Sequence, residues 1–400
     1  MMNAYWLEWL NLLGRWLHLI TGIAWIGASF YFVWLDNHLL APHGTADADK
    51  GISGEVWSVH GGGFYHAQKY RIAPAQLPEP LHWFKWEAYS TWLSGFFMLC
   101  LVYYVGADTY LIDPAVAALS PPQAIGISIG TLVVGWLLYD GLCRSVLGRN
   151  DKHLGMAVLL MSIAAAWGLT HVFSGRGAFI HYGAMLGTLM VGNVFFVIIP
   201  GQRELIKAKL AGREPDPTSG LKAKQRSVHN TYFTLPVIFT MMSNHYAMVF
   251  NHAYNWALLV AISIAGAAIR VYFVARHKGR SSPVPLLVGG GLLLGVAIAI
   301  SPAASSPPSA AVNTAAQFAK VVQVVQTRCI SCHAQHPTQT GFVAAPKGIM
   351  LDTPARVASQ ATLIYQQVSS RAMPLGNLTA MTDQERQLIM AWHDRGARSK

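Results

Sequence analysis

Charge is what this chain has least of. Asp, Glu, Lys and Arg together make up 12% of its 400 residues, against roughly 25% in a soluble domain. A surface that sparse cannot be solvated all round, which excludes a free-standing globular protein. Acid is scarcer than base: 18 Asp and Glu stand against 29 Lys and Arg, a net +11. In a soluble chain that excess would suggest nucleic acid. Here the bases collect in short connections between apolar runs, so they report membrane topology and no nucleic-acid partner is expected. Cysteine is also rare. Of the four, Cys100 and Cys143 stand alone in apolar segments, where a single cysteine behaves as a small hydrophobe, and no disulfide framework is expected. The stretch Met1–Leu13 has no basic n-region, its one charge being Glu8, so a cleavable signal peptide is not expected.

What is abundant is apolar sequence, 53% of the chain, in runs of about 20 residues, the length that crosses a bilayer core. The pattern predicts an all-α, polytopic membrane bundle of about eight spans: Leu10–Leu35, Ala88–Gly106, Pro122–Cys143, Leu154–Phe173, Ala178–Pro200, Tyr232–Phe250, Trp256–Ala275 and Pro283–Pro302. Basic residues alternate from one connection to the next. Lys50, Lys69, Arg71 and Lys85 follow the first span, Arg144, Arg149 and Lys152 the third, a Lys/Arg cluster over 201–229 the fifth, and Arg276, Lys278 and Arg280 the seventh. The positive-inside rule then puts these connections in the cytoplasm and the N-terminus outside. The expected location is a bacterial inner membrane, multi-pass, with both chain ends periplasmic and the lipid bilayer as a partner.

After Pro302 the composition changes. Residues 303–316 are Ala, Ser and Pro with little else, which reads as a linker, and 317–400 as a small soluble domain following the membrane domain 1–302. Arg276–Arg280, the last span and the S-P-A-A-S after it also resemble an internal signal sequence, but an uncleaved anchor is the simpler reading. The soluble segment carries T-R-C-I-S-C-H at Thr327–His333. C-x-x-C-H is the haem-attachment peptide: Cys329 and Cys332 would form thioethers, and His333 would be the proximal iron ligand. Met373, in R-A-M-P-L-G-N, is the expected distal ligand, with Met350 and Met381 as competitors and His336 too near the motif to reach the other face. An amphipathic helix before the motif and another over Asp383–Gly396 make the segment resemble a small class I cytochrome c domain with one covalent haem c. Haem attachment occurs in the periplasm of bacteria, the side at which the charge pattern leaves this segment.

Two further groups of residues are candidates. Ionisable side chains within spans are functional by default, and His18, His171, His181 and His245 fall at similar depth. Any one alone reads as an interfacial histidine, but together they are candidate axial ligands of a haem b, since imidazoles on facing helices hold haem inside bundles. Arg15, Asn193, Asn244 and Arg270 also lie within spans. The second group is in the cytoplasmic connection Asp36–Glu87, expected as a loop, which reads V-W-S-V-H-G-G-G-F-Y-H-A-Q-K-Y-R-I-A-P over Val56–Pro74. Three glycines allow close backbone approach between His60 and His66. Phe64 and Tyr65 can stack on a flat heterocycle, Arg71 can pair with its charge, and Gln68 can both donate and accept.

The H-G-G-G-F-Y-H-A-Q-K-Y-R loop, the L-H-W-F-K-W-E-A-Y-S-T-W-L-S-G run leading into the second span, and the eight-span module fused to a cytochrome c together resemble the bacterial membrane-bound urate oxidase (urate hydroxylase) family. The resemblance implies oxidation of urate to 5-hydroxyisourate in purine degradation, with water as the oxygen source. It implies electrons passing to the fused cytochrome c and on to an acceptor such as a cytochrome c oxidase, not directly to oxygen. On that reading Arg71 and Gln68, with Phe64 and Tyr65, would hold urate, and His60 or His66 would take up a proton. The rival readings are a quinol-oxidising b/c-type electron-transfer subunit without purine chemistry, and a transporter with a cytochrome sensor.

Overall fold

The computed structural model describes residues 4–43, 45–277, 279, 282–301, 314–339, 342 and 344–398. Its helices follow the apolar runs. Five are long and apolar enough to cross a membrane: α1 (Ala4–His38), α3 (Pro121–Arg144), α4 (Asp151–Thr170), α5 (Gly175–Leu210) and α7 (Asn255–His277). Their starts are chemically marked. Ser120 and Gln123 form a capping box ahead of α3, with Pro121 in its first turn, and the Asn150 side chain accepts the Lys152 and His153 amides at the start of α4, satisfying donors that have no partner within the helix.

The sequence predicts eight spans, and the other three stretches differ from a full apolar helix for three separate reasons. α2 (Trp86–Leu99) passes into π-helical turns, Cys100–Tyr104 and Ala107–Leu111, on either side of Gly106. α6 (Pro217–Ser243) opens with Lys222, Lys224 and Arg226 and holds Pro236 in its interior. α8 (Val284–Ala299) has 16 residues, about 24 Å at 1.5 Å per residue, shorter than a bilayer core of about 30 Å. Lys278 and Arg280, part of the predicted charge pattern, and most of the linker predicted over 303–316 lie outside the described residues. Of that linker, 314–316 already belong to a helix.

α5 is the hub. It packs against α2, α3, α4 and α6, and Phe179, Leu186 and Leu189 on it are fully buried with Tyr139, Leu154 and Leu259 of its neighbours. Gly183 permits the close approach of α6, because a Cβ there would overlap the Thr240 side chain. The outer faces carry exposed Leu137, Leu138, Leu160, Leu294 and Ile298, the residues a lipid-facing surface needs.

Chain direction gives the bundle two ends. His38, Arg144, Leu210, Pro217 and His277 terminate helices at one end, and the His38 and His277 rings lie 5.0 Å apart there. At the other end the Ser174 amide donates to Leu111 O, close to the starts of α3 and α5. A buried polar network occupies the half nearer the His38 end. Arg226 donates to Asp140 Oδ1 at 2.6 Å and Asn193 Oδ1 at 3.1 Å. Asn193 Nδ2 donates to the Tyr139 hydroxyl and to Asn230 Oδ1, and Tyr139 OH lies 2.7 Å from His229 Nδ1. Asn193 stands where α5 widens into π-helical turns, a distortion that frees side chains for such contacts.

The connection Asp36–Glu87 is not the loop predicted from sequence. β1 (Ile52–His60) and β2 (Gly63–Tyr70) form an antiparallel hairpin. Gly61 and Gly62 turn it with φ of +57° and +80°, the positive pair that a two-residue hairpin turn demands.

The C-terminal residues pack around their own core. α9 (Thr314–Arg328) meets α11 (Asp383–Asp394), with Phe318 stacked on Trp392 at 5.5 Å, and α10 (Ala361–Ser369) adds Ile364 and Val368 to the same core. Burying each such side chain contributes about 1.5–3 kcal/mol. This unit sits on the far end of the bundle from the hairpin: Asn251 Nδ2 donates to Arg371 O at 2.7 Å, and the turn Leu375–Asn377 lies against Ala107–Leu111.

Candidate functional site

The C-terminal unit assembles four of the residues singled out in the sequence. Cys329, Cys332, His333 and Met373 line one crevice, with Phe342, Val368 and Leu378 among its apolar walls. α9 delivers the motif: its last turn continues into the Cys329 and His333 amides, which donate to Val325 O and Cys329 O. His333 Nδ1 donates to Ile349 O at 2.9 Å, which orients the ring and leaves Nε2 as its ligating atom, the arrangement usual for metal-bound histidine. Met373 is held from behind by Arg386, whose guanidinium donates to Met373 O at 2.7 Å and to Val368 O at 3.1 Å. Burial pushes the Cys329 thiol up to about 12 and raises that of Cys332, so both are neutral thiols in an apolar crevice, not a thiolate pair set for a bare ion. Among the described residues no group of three His, Cys, Asp or Glu could hold a bare metal. The donor set therefore fits a covalently attached haem: two thioether positions, one imidazole and one thioether sulfur. Met381 also lines the crevice, whereas Met350 and His336 do not.

The hairpin divides the residues that the sequence grouped together. Cross-strand pairs Glu55–Gln68, Trp57–His66 and Val59–Phe64 share one face, while His60 and Tyr65 occupy the other. On the first face His66 Nε2 lies 2.9 Å from Glu55 Oε2 and its ring stacks on Trp57 at 4.2 Å. Gln68 Nε2 donates to Asp47 and Glu55. Phe64 is 80% exposed, and Tyr65 and Arg71 are exposed too. His66 and Gln68 are thus together, His60 is apart from both, and Phe64 and Tyr65 lie on opposite faces.

Glu55 carries a pH-dependent contribution to this hairpin. The His43 backbone N–H donating to Oε1 at 3.2 Å, helped by Gln68 and His66, holds its carboxyl below the usual carboxylate range despite its burial. A group depressed in the folded state stabilises above its unfolded pKa, and that contribution is lost as pH falls through the folded value. Protease nicking of the 52–70 segment in detergent should therefore rise on acidification below about pH 4. Glu55→Gln should be nicked more readily at neutral pH and show a flatter pH dependence; an identical acid profile in the variant would remove Glu55 from this role.

A larger space lies inside the bundle. A cavity of about 410 Å³ is walled by α1, α2, α5 and α6, and its polar residues include Arg15, His18, Asn244 and His245. His18 Nδ1 donates to Thr91 O at 3.1 Å and sits 3.1 Å from Ser94 Oγ, leaving Nε2 available. The four histidines predicted as a group do not all meet there. His171 is exposed, its Nδ1 donating to Trp167 O one turn earlier. His181 is fully buried against Phe173 and Tyr103, donating from Nδ1 to Gly177 O with Nε2 unpartnered. A haem b between two of these four would have only His18 and His245 on the cavity wall. The cavity itself was not legible in the sequence, although Arg15, His18 and Asn244 each stood out as a polar residue within a span.

Among curated proteins and among solved structures, nothing matches this chain. The family model described as urate oxidase, N-terminal, matches residues 4–301, the whole bundle with its hairpin and none of the C-terminal unit. Over three-quarters of its length, to within a residue or two, the chain therefore belongs to the urate oxidase N-terminal family.

Proposed function

We propose that this protein is a membrane-bound oxidoreductase that converts urate to 5-hydroxyisourate with water as the oxygen source, and that its C-terminal unit is a cytochrome c. Family membership points to urate-related oxidation. The observation that carries the rest is the convergence of Cys329, Cys332, His333 and Met373 on one crevice. A haem c bound there supplies a one-electron acceptor at a potential raised by Met ligation, able to pass electrons to a partner such as a terminal oxidase.

The chain's own residues set up that role. Cys329 and Cys332 fix the macrocycle covalently, the Ile349 carbonyl orients His333, and Arg386 holds the Met373 backbone in place. The remaining apolar spans, α2, α6 and α8, complete an eight-span topology in which the hairpin is cytoplasmic and the crevice periplasmic. Basic residues at the hairpin end, among them Lys69, Arg71, Arg144 and Arg276, support that orientation. The balance is urate monoanion plus water giving 5-hydroxyisourate, one proton and two electrons. Because oxygen is not the direct acceptor, membranes turning over urate should form 5-hydroxyisourate without matching hydrogen peroxide. Peroxide appearing in one-to-one ratio with urate consumed would overturn this reading.

A further inference from the structure

The hairpin and the haem crevice lie at opposite ends of the bundle, which leaves a substrate bound at the hairpin a membrane's width from its acceptor. The cavity has no such difficulty. Its ionisable side chains Arg15, His18 and His245, with Asn244, lie on the parts of α1 and after α6 that face the end where the C-terminal unit docks. We infer that this cavity, and not the hairpin, is the chamber that binds urate, an inference that rests on the urate-oxidising reading above.

Four observations converge on a flat anion. The volume of about 410 Å³ lies within the roughly 300–1,000 Å³ usual for small-molecule sites and exceeds what a two-ring purine needs. No Asp or Glu lines it, so Arg15 is its one formal charge. Trp92 and Phe96 on its wall are stacked on each other at 5.2 Å and 7°, a flat aromatic surface on which a purine can lie. His18 is pre-oriented by Thr91 and Ser94, and the Tyr103 hydroxyl donates to Asn244 Oδ1 at 3.2 Å, leaving the Asn244 amide N–H groups to donate to a ligand carbonyl. Arg15 is itself exposed and its Nε donates to Asn11, so it attracts an anion as a charge at the open side of the cavity, partly screened.

Two glycines keep the space open. Gly22 of α1 and Gly187 of α5 both line the cavity, and a Cβ at either would meet nothing within 4 Å. A larger side chain at these positions grows into the cavity without a backbone clash, which makes them steric probes of its occupant. Gly155 of α4 is similarly free of neighbours but faces outward.

The test is equilibrium binding of radiolabelled urate to full-length protein in detergent, chemically reduced beforehand so that turnover is blocked. Gly187→Leu and Gly22→Leu should each weaken binding by at least about tenfold, as an overpacked site cannot admit its ligand, and Arg15→Gln should weaken it as well. Gly155→Leu should bind as the unaltered protein does. Covalent haem content and thermal unfolding, unchanged in a variant, certify that it has folded; two glycine positions on different helices guard against one failing. Unaltered urate binding in folded Gly187→Leu and Gly22→Leu would overturn the inference while leaving the reaction intact. An acid-extractable haem present in the parent and lost from both variants would also overturn it, by identifying a porphyrin as the occupant. A parent protein that neither binds urate when reduced nor is reduced by it when oxidised would instead sink the reading on which the inference rests.

Discussion

Cys329→Ser combined with Cys332→Ser should yield a chain that inserts in the membrane but carries no covalently held haem, and urate oxidation should fall to background. Both sulfurs line the same crevice as His333 and Met373, so on the proposed reading their loss would remove both thioether anchors and leave a haem to be held by His333 and Met373 alone. The expected loss exceeds the roughly 10–100-fold that follows removal of an outer-shell partner of a metal ligand. Haem staining after denaturing electrophoresis, read beside urate consumption, separates the possibilities. Retained urate oxidation in a haem-free chain would show that the C-terminal unit is not the acceptor. A graded companion is Arg386→Ala. It leaves the thioether positions alone but deprives the Met373 carbonyl of its donor, at about 1–3 kcal/mol for a group left unpaired, while Val368 O keeps the Arg371 amide. It should keep the covalent haem and lower its potential as Met373 drifts from the iron.

Arg226→Met should be the most damaging single change within the bundle. Arg226 is 4% exposed and joins three helices, pairing with Asp140 of α3 and Asn193 of α5 while its guanidinium lies 5.0 Å from the Tyr139 ring centroid. Removing it leaves Asp140 with only the exposed Arg144, whose Nε donates to Oδ2 at 2.6 Å, and deprives Asn193 Oδ1 of its donor inside the bundle; breaking one side of a buried pair costs up to about 3–5 kcal/mol. Asp140→Asn with Arg226→Met together removes both charges and should recover part of that loss, because coupled neighbours are not additive. Thermal unfolding in detergent of the two single variants and the double one measures the coupling. Additive losses would mean that the pair makes no joint contribution.

Much of the architecture could be read from composition alone, because one physical requirement, burying backbone polar groups in lipid, dictates long apolar helices. That Cys329, Cys332, His333 and Met373 share a crevice agrees with a local signal in the sequence. C-x-x-C-H sets two candidate attachment cysteines and one candidate ligand side by side, and Met373 needed only a following proline-containing turn to stand out. What sequence reading passed over was a signal of another period. V-W-S-V-H and F-Y-H-A-Q-K-Y carry the aromatic and β-branched residues that strands favour on either side of glycines able to turn a hairpin. Three glycines read as a ligand cradle concealed it. The strand pleat then decides the chemistry: a period of two sets Glu55, His66 and Gln68 on one face and sends His60 to the other. The bundle cavity was hidden for a different reason. Arg15, His18, Asn244 and His245 come from separate helices, and only the packing of α1, α2, α5 and α6 reveals that they share a space which His171 and His181 do not enter.

In the proposed reaction the electrons of urate reach a haem in the C-terminal unit. The most direct test is to add urate to oxidised, full-length protein in the absence of oxygen and follow the c-type haem absorbance. Urate alone should reduce the haem, with 5-hydroxyisourate formed at one molecule per two electrons taken up. A haem that stays oxidised with urate yet is reduced on adding a quinol would contradict it.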